Sequence, residues 1–243
     1  MMDATISGSS PTSRHPVIIT IDGPAGTGKS SVAHRLASRL GLDFLDTGAM
    51  YRAAALIALE TGIDPDQGEA LAAAISDMGV RFDWQSDPPR LMLDDRDVSA
   101  RIRDLDVSGI VSIVAAQSPV RSVLVERQRD IAEAHPRLVT EGRDQGSVVF
   151  PDAAVRFFLD ASIEVRAQRR IKQLASAGQS IDEHEIRSDI EARDRLDTSR
   201  DDAPLIKPEG AIVIDSSNKS LPEVVEEMER IVRDRLPDAE FTS

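Results

Sequence analysis

The sequence predicts an α/β fold in which a mostly parallel sheet is covered by helices on both faces. Five short apolar runs are typical of buried strands, and each leads into polar residues and then a helical pattern: 17–21, 42–45, 138–140, 155–159 and 211–214. Strands that alternate with helices form parallel sheets, and ligands gather at the carboxyl ends of these strands. The first run ends at Asp22, and the glycine-rich sequence GPAGTGKS at 23–30 then opens a helix.

Residues 23–30 fit the phosphate-binding pattern G-x-x-x-x-G-K-[ST] at every fixed position. Its glycines let backbone N–H groups converge on phosphate oxygens at the positive end of a helix. Lys29 supplies a charge for the β- and γ-phosphates, and Ser30 supplies a hydroxyl for Mg²⁺. We therefore expect a sheet of the P-loop NTP hydrolase type that binds ATP or GTP, with Mg²⁺ as cofactor, through Gly23, Pro24, Ala25, Gly26, Thr27, Gly28, Lys29, Ser30 and Ser31.

Composition limits the classes of function. A chain of 243 residues with 41% hydrophobic residues can bury one sizeable core with room for a smaller inserted unit. The net charge of −13 repels polyanions, so nucleic acid and anionic membranes are poor partners. The chain has no cysteine, which excludes disulfides and thiol nucleophiles and suits a reducing cytoplasm, and its four histidines lack metal-ligand spacing.

The remaining elements follow from apolar spacing and turn residues. Residues 62–102 contain a short helix and three short apolar runs, typical of a small antiparallel meander inserted into the main fold. Helical periodicity returns across 106–134, and a capping box at Ser220 and Glu223 opens the last helix. We therefore predict the following units: disordered tail 1–14, core 15–61 and 103–236, inserted acceptor-binding α/β subdomain 62–102, short lid about 176–192 next to Gly178, and tail 237–243.

Three later stretches narrow the function. LDTGAMYR at 45–52, EGRDQGSVVFPDA at 141–153 and RDRLDTSR at 193–200 together resemble the bacterial cytidylate kinase family, and the resemblance runs from about residue 17 to residue 236. The resemblance implies a P-loop nucleoside-monophosphate kinase that transfers the γ-phosphoryl group of MgATP to CMP or dCMP. The insert at 62–102 resembles the extension that sets this family apart from shorter nucleoside-monophosphate kinases. The resemblance also implies that the protein is a monomer.

The resemblance also implies residue roles. Acceptor-phosphate contacts fall on Arg52, Arg143 and Arg200, ribose contacts on Tyr51, Arg193 and Asp197, and cytosine contacts on Thr47, Ser112, Arg121 and Asp144. Catalysis falls on Lys29, Arg143, Arg193 and Arg200. The family usually has serine at the Thr47 position and often threonine at the Ser31 position, so this chain departs from the pattern at two sites.

Elementary chemistry agrees with a monophosphate acceptor. Two phosphorylated substrates repel each other, and arginine forks suit the phosphate oxygens that must be neutralised. No general base is needed, because the attacking oxygen already belongs to an anionic phosphate. Asp144 and Arg121 can read the amine and the ring acceptors of cytosine, whereas uracil would turn an oxygen toward the carboxylate.

Plainer interpretations stand beside these. Surface ion pairs would explain the arginines at 166, 169, 170, 187 and 195, Arg143 and Asp144 could form a structural turn, and Tyr51 could simply pack in the core. A UMP or AMP kinase would share the loop and the arginines. A regulatory GTPase is disfavoured, because the D-x-x-G sequence at 106–109 follows no strand and Asn218–Lys219 does not continue as N-K-x-D.

Overall fold

A computed structural model describes residues 15–176 and 182–241. The strands are β1 (Val17–Asp22), β2 (Asp43–Asp46), β3 (Val80–Asp83), β4 (Arg90–Leu93), β5 (Arg96–Asp97), β6 (Arg137–Gly142), β7 (Val155–Asp160) and β8 (Ile212–Asp215). The helices are α1 (Lys29–Leu40), α2 (Thr47–Thr61), α3 (Gly68–Asp77), α4 (Leu105–Ala116), α5 (Ser118–Ala134), α6 (Ile163–Ser176), α7 (Glu183–Ser199) and α8 (Leu221–Arg235). A 3₁₀ turn spans Arg101–Arg103, and a π-helical turn spans Gln145–Val149.

The larger sheet confirms the predicted fold class. Its five strands run parallel in the order β2-β6-β1-β7-β8, and they are the five predicted apolar runs with ends shifted by one or two residues. Val17, Ile19 and Ile21 of the central strand pack in a core with α1 and α8, whereas Ile18 packs against the core of α2 and α5. Alternate side chains of a buried strand therefore reach helices on both faces.

Parallel pairing brings the carboxyl ends of the strands to one edge of the sheet. β1 ends there at Asp22, β2 at Asp46 and β6 at Gly142. The residues that follow these three ends begin the phosphate-binding pattern, α2 and the Arg143–Asp144 turn. The topology thus collects, at one edge, stretches that are far apart in the sequence.

The smaller sheet belongs to the predicted insert. β3, β4 and β5 pair antiparallel in that order. Two histidines of the rest of the chain contact its β3–β4 connection: His34 Nε2 lies 2.5 Å from Asp87 Oδ1, and the His135 ring stacks on Trp84 with centroids 3.8 Å apart. His135 Nδ1 also lies 2.9 Å from Asp43 Oδ2. The division of the chain into core and insert stays a prediction.

The helical periodicity across 106–134 is divided between two helices. α4 and α5 meet at 94°, and Pro119 lies in the first turn of α5, where its missing N–H group costs nothing. Each helix keeps its own inward apolar face, so spacing alone does not reveal the bend. Within the described ranges, no single helix has the length and apolar character that a membrane span requires.

Parts of three predictions fall outside the described residues. The N-terminal tail 1–14, Gly178 with the rest of 177–181, and the last two residues lie there. Of the predicted lid, Ser176 ends α6 and the residues from Asp182 onward form the N-cap and first half of α7, where Asp182 accepts a hydrogen bond from the His184 N–H group at 2.7 Å. Lid closure therefore stays a prediction.

Candidate functional site

The phosphate-binding loop connects β1 to α1 with the geometry that its glycines allow. Gly23, Gly26 and Gly28 have φ angles of 152°, 81° and 91°, which residues with side chains rarely adopt. Gly28 is the N-cap residue of α1, so the first free N–H groups of the helix open toward the loop. A phosphate at this position would meet backbone donors and the positive end of the helix dipole.

We expect Gly23→Ala to destabilise the protein by about 3 kcal/mol, which corresponds to roughly 6–12 °C in the melting temperature. An added Cβ would lie 2.0 Å from the carbonyl oxygen of Leu159, in a backbone conformation that only glycine adopts readily. Thermal unfolding of both proteins measures the effect. Gly109→Ala is the matched control, because an added Cβ meets nothing within 4 Å and alanine favours helix α4. Equal melting temperatures for Gly23→Ala and wild type would refute the expectation.

Lys29 and Ser30 lie at the start of α1 and contact two different partners. Lys29 Nζ donates a hydrogen bond to the Pro24 carbonyl at 2.8 Å, and burial, followed by the nearby Arg143 charge, lowers the pKa of Lys29. The Ser30 hydroxyl donates to Glu141 Oε1 at 2.6 Å. Burial and the charge of Asp46 raise the pKa of Glu141 to about 7. The Ser30 hydroxyl and the Glu141 carboxylate therefore lie side by side next to the loop, at the end of β6.

Arg166 and Arg169, for which surface ion pairs are the plainer interpretation, both donate hydrogen bonds to carbonyl groups of the loop. Arg166, only 7% exposed, donates to the Ala25 carbonyl at 3.2 Å and pairs with Asp194 at 2.5 Å. Arg169 donates to the Thr27 carbonyl at 2.9 Å. Their helical spacing on α6 gives no sign of this role, because it depends on how α6 packs against the loop. Arg187 does form the expected exposed ion pairs.

A cleft opens beside the loop, lined mainly by polar and charged side chains. The structure brings all ten residues predicted to bind the acceptor to its walls: Thr47, Tyr51, Arg52, Ser112, Arg121, Arg143, Asp144, Arg193, Asp197 and Arg200. Gly48, Val111, Ala115 and Gly142, which are not among the predicted contacts, complete the lining. Their small or apolar side chains give no chemical signal in the sequence.

Arg121 and Asp144 form a buried ion pair in this cleft. Each side chain is 3% exposed, and Arg121 also lies over the Tyr51 ring at 5.6 Å from its centroid. Burial opposes the charge on Arg121, but Tyr51 and Asp144 outweigh it and raise the pKa of Arg121. For Tyr51 the effect of burial has the opposite sign: burial favours the neutral phenol and raises the pKa of Tyr51. The cleft thus presents a fixed carboxylate, a fixed guanidinium and an aromatic ring on one wall.

The other arginines of the cleft are positioned for an anion. Arg143 Nε donates to Asp197 Oδ2 at 2.8 Å, and Arg52 donates to the Ser108 hydroxyl at 2.8 Å. Over the described ranges, no carboxylate lies within ion-pair distance of Arg52, Arg193 or Arg200. Arg200 even leaves a buried Nη2 group without a hydrogen-bond partner. Three cationic groups therefore remain available to a ligand.

Burial, with the charges of neighbouring arginines, lowers the pKa of each of these three cations. Burial, followed by the Arg193 charge, lowers the pKa of Arg52 to about 10. Burial and neighbouring arginines also lower the pKa of Arg193 and of Arg200. All three remain protonated near neutral pH, and an anionic ligand would relieve the repulsion. The site is a concentrated positive region in a protein of strongly negative net charge.

Thr47 and Ser112 contribute hydroxyl groups to the cleft. The Thr47 hydroxyl donates to the Glu141 carbonyl at 2.7 Å, so it can offer a ligand only its acceptor lone pairs. Ser112 lies on α4 and is partly exposed. The roles of all the predicted site residues stay predictions.

Four consecutive residues join the phosphate-binding loop to the cleft. Glu141 contacts Ser30 at its hydroxyl, while Gly142, Arg143 and Asp144 line the cleft. The distance between the two sites is therefore fixed by one short stretch at the end of β6. Two anionic ligands, one in each site, would meet next to Arg143.

The comparisons with known sequences agree with one another. The family model described as cytidylate kinase matches residues 19–234. A cytidylate kinase of Nocardia farcinica is 43% identical over 223 residues, which cover 91% of this chain and 95% of that relative. A cytidylate kinase of Geobacter sp. strain M21 is 44% identical over 220 residues, covering 90% and 94%. Among solved structures, a shikimate kinase from Bacteroides thetaiotaomicron aligns with a TM-score of 0.48 at 11% identity, over 89% of this chain and 98% of that one.

Proposed function

The chain belongs to the cytidylate kinase family, and from this premise we propose that it transfers the γ-phosphoryl group of ATP to CMP or dCMP, giving ADP and CDP or dCDP. The observation that carries the proposal is the stretch 141–144, which joins a phosphate-binding loop to a cleft rich in arginine. A nucleoside-monophosphate kinase must hold two phosphorylated ligands at adjacent positions, and this geometry supports that arrangement. A monomeric state and a cytoplasmic location stay predictions.

ATP occupies the loop between β1 and α1 in this proposal. Backbone N–H groups at the start of α1 bind the phosphates, and Lys29 exchanges its bond to the Pro24 carbonyl for the β- and γ-phosphate oxygens. Arg166 and Arg169 keep the carbonyl groups of the loop turned toward α6, so that its N–H groups stay available. The lowered pKa of Lys29 rises again when an anionic phosphate replaces the present carbonyl partner.

The donor set beside the loop fits Mg²⁺. Ser30 would hold it by its hydroxyl, with Glu141 close enough to accept from the same hydroxyl, and oxygen ligands of this kind suit a hard cation. Within the described ranges no group of three or more carboxylate or histidine side chains could hold a metal ion, so the remaining ligands would come from water and from the phosphates of ATP. When bound, the metal neutralises phosphate charge.

CMP occupies the arginine-lined cleft. Arg52, Arg143 and Arg200 bind its phosphate, and Arg193 and Asp197 reach the ribose together with Tyr51. The phosphate oxygen attacks the γ-phosphorus directly and in line, without a general base, because it is already anionic. Arg143, Arg193 and Arg200 with Lys29 stabilise the charge that spreads over the transferred group.

Asp144 and Arg121 read the base. The carboxylate accepts a hydrogen bond from the exocyclic amine of cytosine, and the guanidinium donates to a ring acceptor. The buried ion pair fixes both groups before the ligand arrives, so recognition costs little reorganisation. Uracil would place a carbonyl oxygen against the Asp144 carboxylate. The unpaired buried groups would cost about 1–3 kcal/mol each, which favours CMP over UMP.

The proposal is tested by steady-state phosphorylation of CMP, dCMP, UMP, AMP and GMP with MgATP. We expect CMP and dCMP to lead. In Asp144→Asn, kcat/KM for CMP should fall roughly 10–100-fold and that for UMP much less, because the amide no longer selects against the uracil oxygen. Asp152→Asn, at an exposed turn, is the matched control.

Two results would contradict this assignment. A wild-type enzyme that prefers UMP or AMP would leave the two adjacent phosphate sites in place but remove the base-reading roles of Asp144 and Arg121. A protein that binds ATP and phosphorylates none of the five nucleotides would contradict the kinase activity itself.

A further inference from the structure

Asp22 is a fully buried carboxylate at the junction of the two ligand sites. It is the last residue of β1, directly before Gly23. Its Oδ1 atom accepts a hydrogen bond from the Gln145 N–H group at 2.8 Å, and its Oδ2 atom accepts one from the Gly146 N–H group at 2.7 Å. Both N–H groups follow Arg143 and Asp144 in the chain. One side chain thus bonds to the backbone of the turn that carries two predicted acceptor contacts.

The side chain of Gln145 anchors the same turn from another direction. Its Nε2 group donates to Gln128 Oε1 at 2.9 Å, and its Oε1 atom accepts from the Thr140 hydroxyl at 2.9 Å. These bonds fix the side chain of Gln145, whereas the Asp22 carboxylate binds two consecutive backbone N–H groups. The position of the backbone that leaves Asp144 therefore depends on Asp22.

Keeping a carboxylate here is costly. Burial raises the pKa of Asp22 to about 6, against the opposing effect of the two backbone hydrogen bonds. The charged side chains that act on it are Asp144, which raises the pKa further, and Lys29, which lowers it. Within the described part of the chain no cationic group forms an ion pair with Asp22. A neutral asparagine would avoid this cost but would not offer a separate acceptor oxygen to each N–H group.

We infer that Asp22 is a positioning residue for the acceptor nucleotide: its carboxylate holds the turn that carries Arg143 and Asp144 against the end of β1. The position of the acceptor cleft relative to the phosphate-binding loop is then set by two hydrogen bonds that a single side chain accepts. This inference rests on the proposed function, since it assigns CMP to that cleft. Asp22 touches neither substrate and acts through the turn.

Asp22→Asn tests the inference, because the amide keeps the shape of the side chain but has only one acceptor oxygen. At about pH 8, we expect kcat/KM for CMP to fall roughly 10–100-fold, mainly through a higher KM for CMP, while KM for ATP stays within about twofold. Asp160→Asn is the matched control, since Asp160 ends the neighbouring strand β7 and, among the described residues, its carboxylate accepts a hydrogen bond only from the N–H group of Ala161, at 2.8 Å. A higher KM for ATP with an unchanged KM for CMP would overturn the inference.

The pH profile separates positioning from a general loss of structure. The ratio of kcat/KM between wild type and Asp22→Asn should decrease toward one as the pH falls through about 6, because protonated Asp22 also loses an acceptor. The phosphates of CMP and ATP titrate identically in both proteins and cancel in the ratio. A ratio that stays constant between about pH 5 and pH 8 would contradict the inference.

A measurement on the wild type alone avoids dependence on the folding of a variant. The amide proton shifts of Gln145 and Gly146 should titrate together in an NMR experiment, with a midpoint near the Asp22 pKa of about 6. Shifts that do not change in this range would refute the inference. The proposed function fails separately, if the wild type does not phosphorylate CMP.

Discussion

Lys29→Met should lower kcat by about 10²–10³-fold, since it removes a charge aimed at the phosphates in the transition state. Lys29 is buried at the start of α1, and burial already lowers its pKa, so its ammonium group is costly to retain. Methionine replaces the aliphatic stem of lysine without the charge. Stability should therefore be equal or higher while activity is lost.

Steady-state kinetics with MgATP and CMP measure this effect, and thermal unfolding checks the fold. Lys207→Met makes the same chemical change at an exposed position and should keep wild-type kinetics. Turnover by Lys29→Met within about threefold of the wild type would show that the loop binds nucleotide without taking part in transfer.

Arg143→Ala is expected to reduce kcat by a similar factor of about 10²–10³. Arg143 lies at the meeting point of the two sites and forms a hydrogen-bonded ion pair with Asp197. Its loss removes a guanidinium fork from the transferred group and leaves the Asp197 carboxylate without this partner. Arg143→Lys should recover only part of the activity, because an ammonium group cannot bind two phosphate oxygens in the same planar geometry.

Whether the substitution changes kcat or only KM for CMP shows at which stage of the reaction Arg143 acts. Loss of kcat at saturating CMP indicates a contact made in the transition state, whereas a rise in KM alone indicates uniform binding. Arg230→Ala removes an arginine of α8 whose ion pair with Asp234 is exposed, and it serves as the control. Near wild-type activity of Arg143→Ala would exclude Arg143 from the phosphate site.

Local patterns predicted the sheet and the loop well for a physical reason. A strand buried on both faces must be apolar throughout, and a loop that converges on phosphate needs glycine at fixed spacings, so both leave a signal within a few residues. The bend between α4 and α5 also leaves a local signal, because Pro119 interrupts the periodic stretch 106–134 and marks the first turn of a new helix, but apolar spacing alone does not show it.

The sequence predicted which residues line the cleft but not the contacts that these residues make with one another. Its ten predicted side chains came from a resemblance that compares stretches one at a time, and such a comparison does not show that Arg121 already holds Asp144. The bonds of Arg166 and Arg169 to loop carbonyls depend on the packing of α6, which no spacing reveals. Asp22 could have drawn attention as a charged residue at the end of an apolar strand, but its partners lie more than a hundred residues away.

The stacking of Trp84 on His135 lets intrinsic fluorescence report on the contact between the insert and the rest of the chain. Trp84 is the only tryptophan of the chain, so its intrinsic fluorescence comes from a single place, the contact between the β3–β4 connection and the end of α5. Emission changes during substrate addition would therefore report whether this contact opens or tightens. Trp84 is thus an intrinsic fluorescent probe of that contact, and stopped-flow mixing can follow its emission on the timescale of turnover.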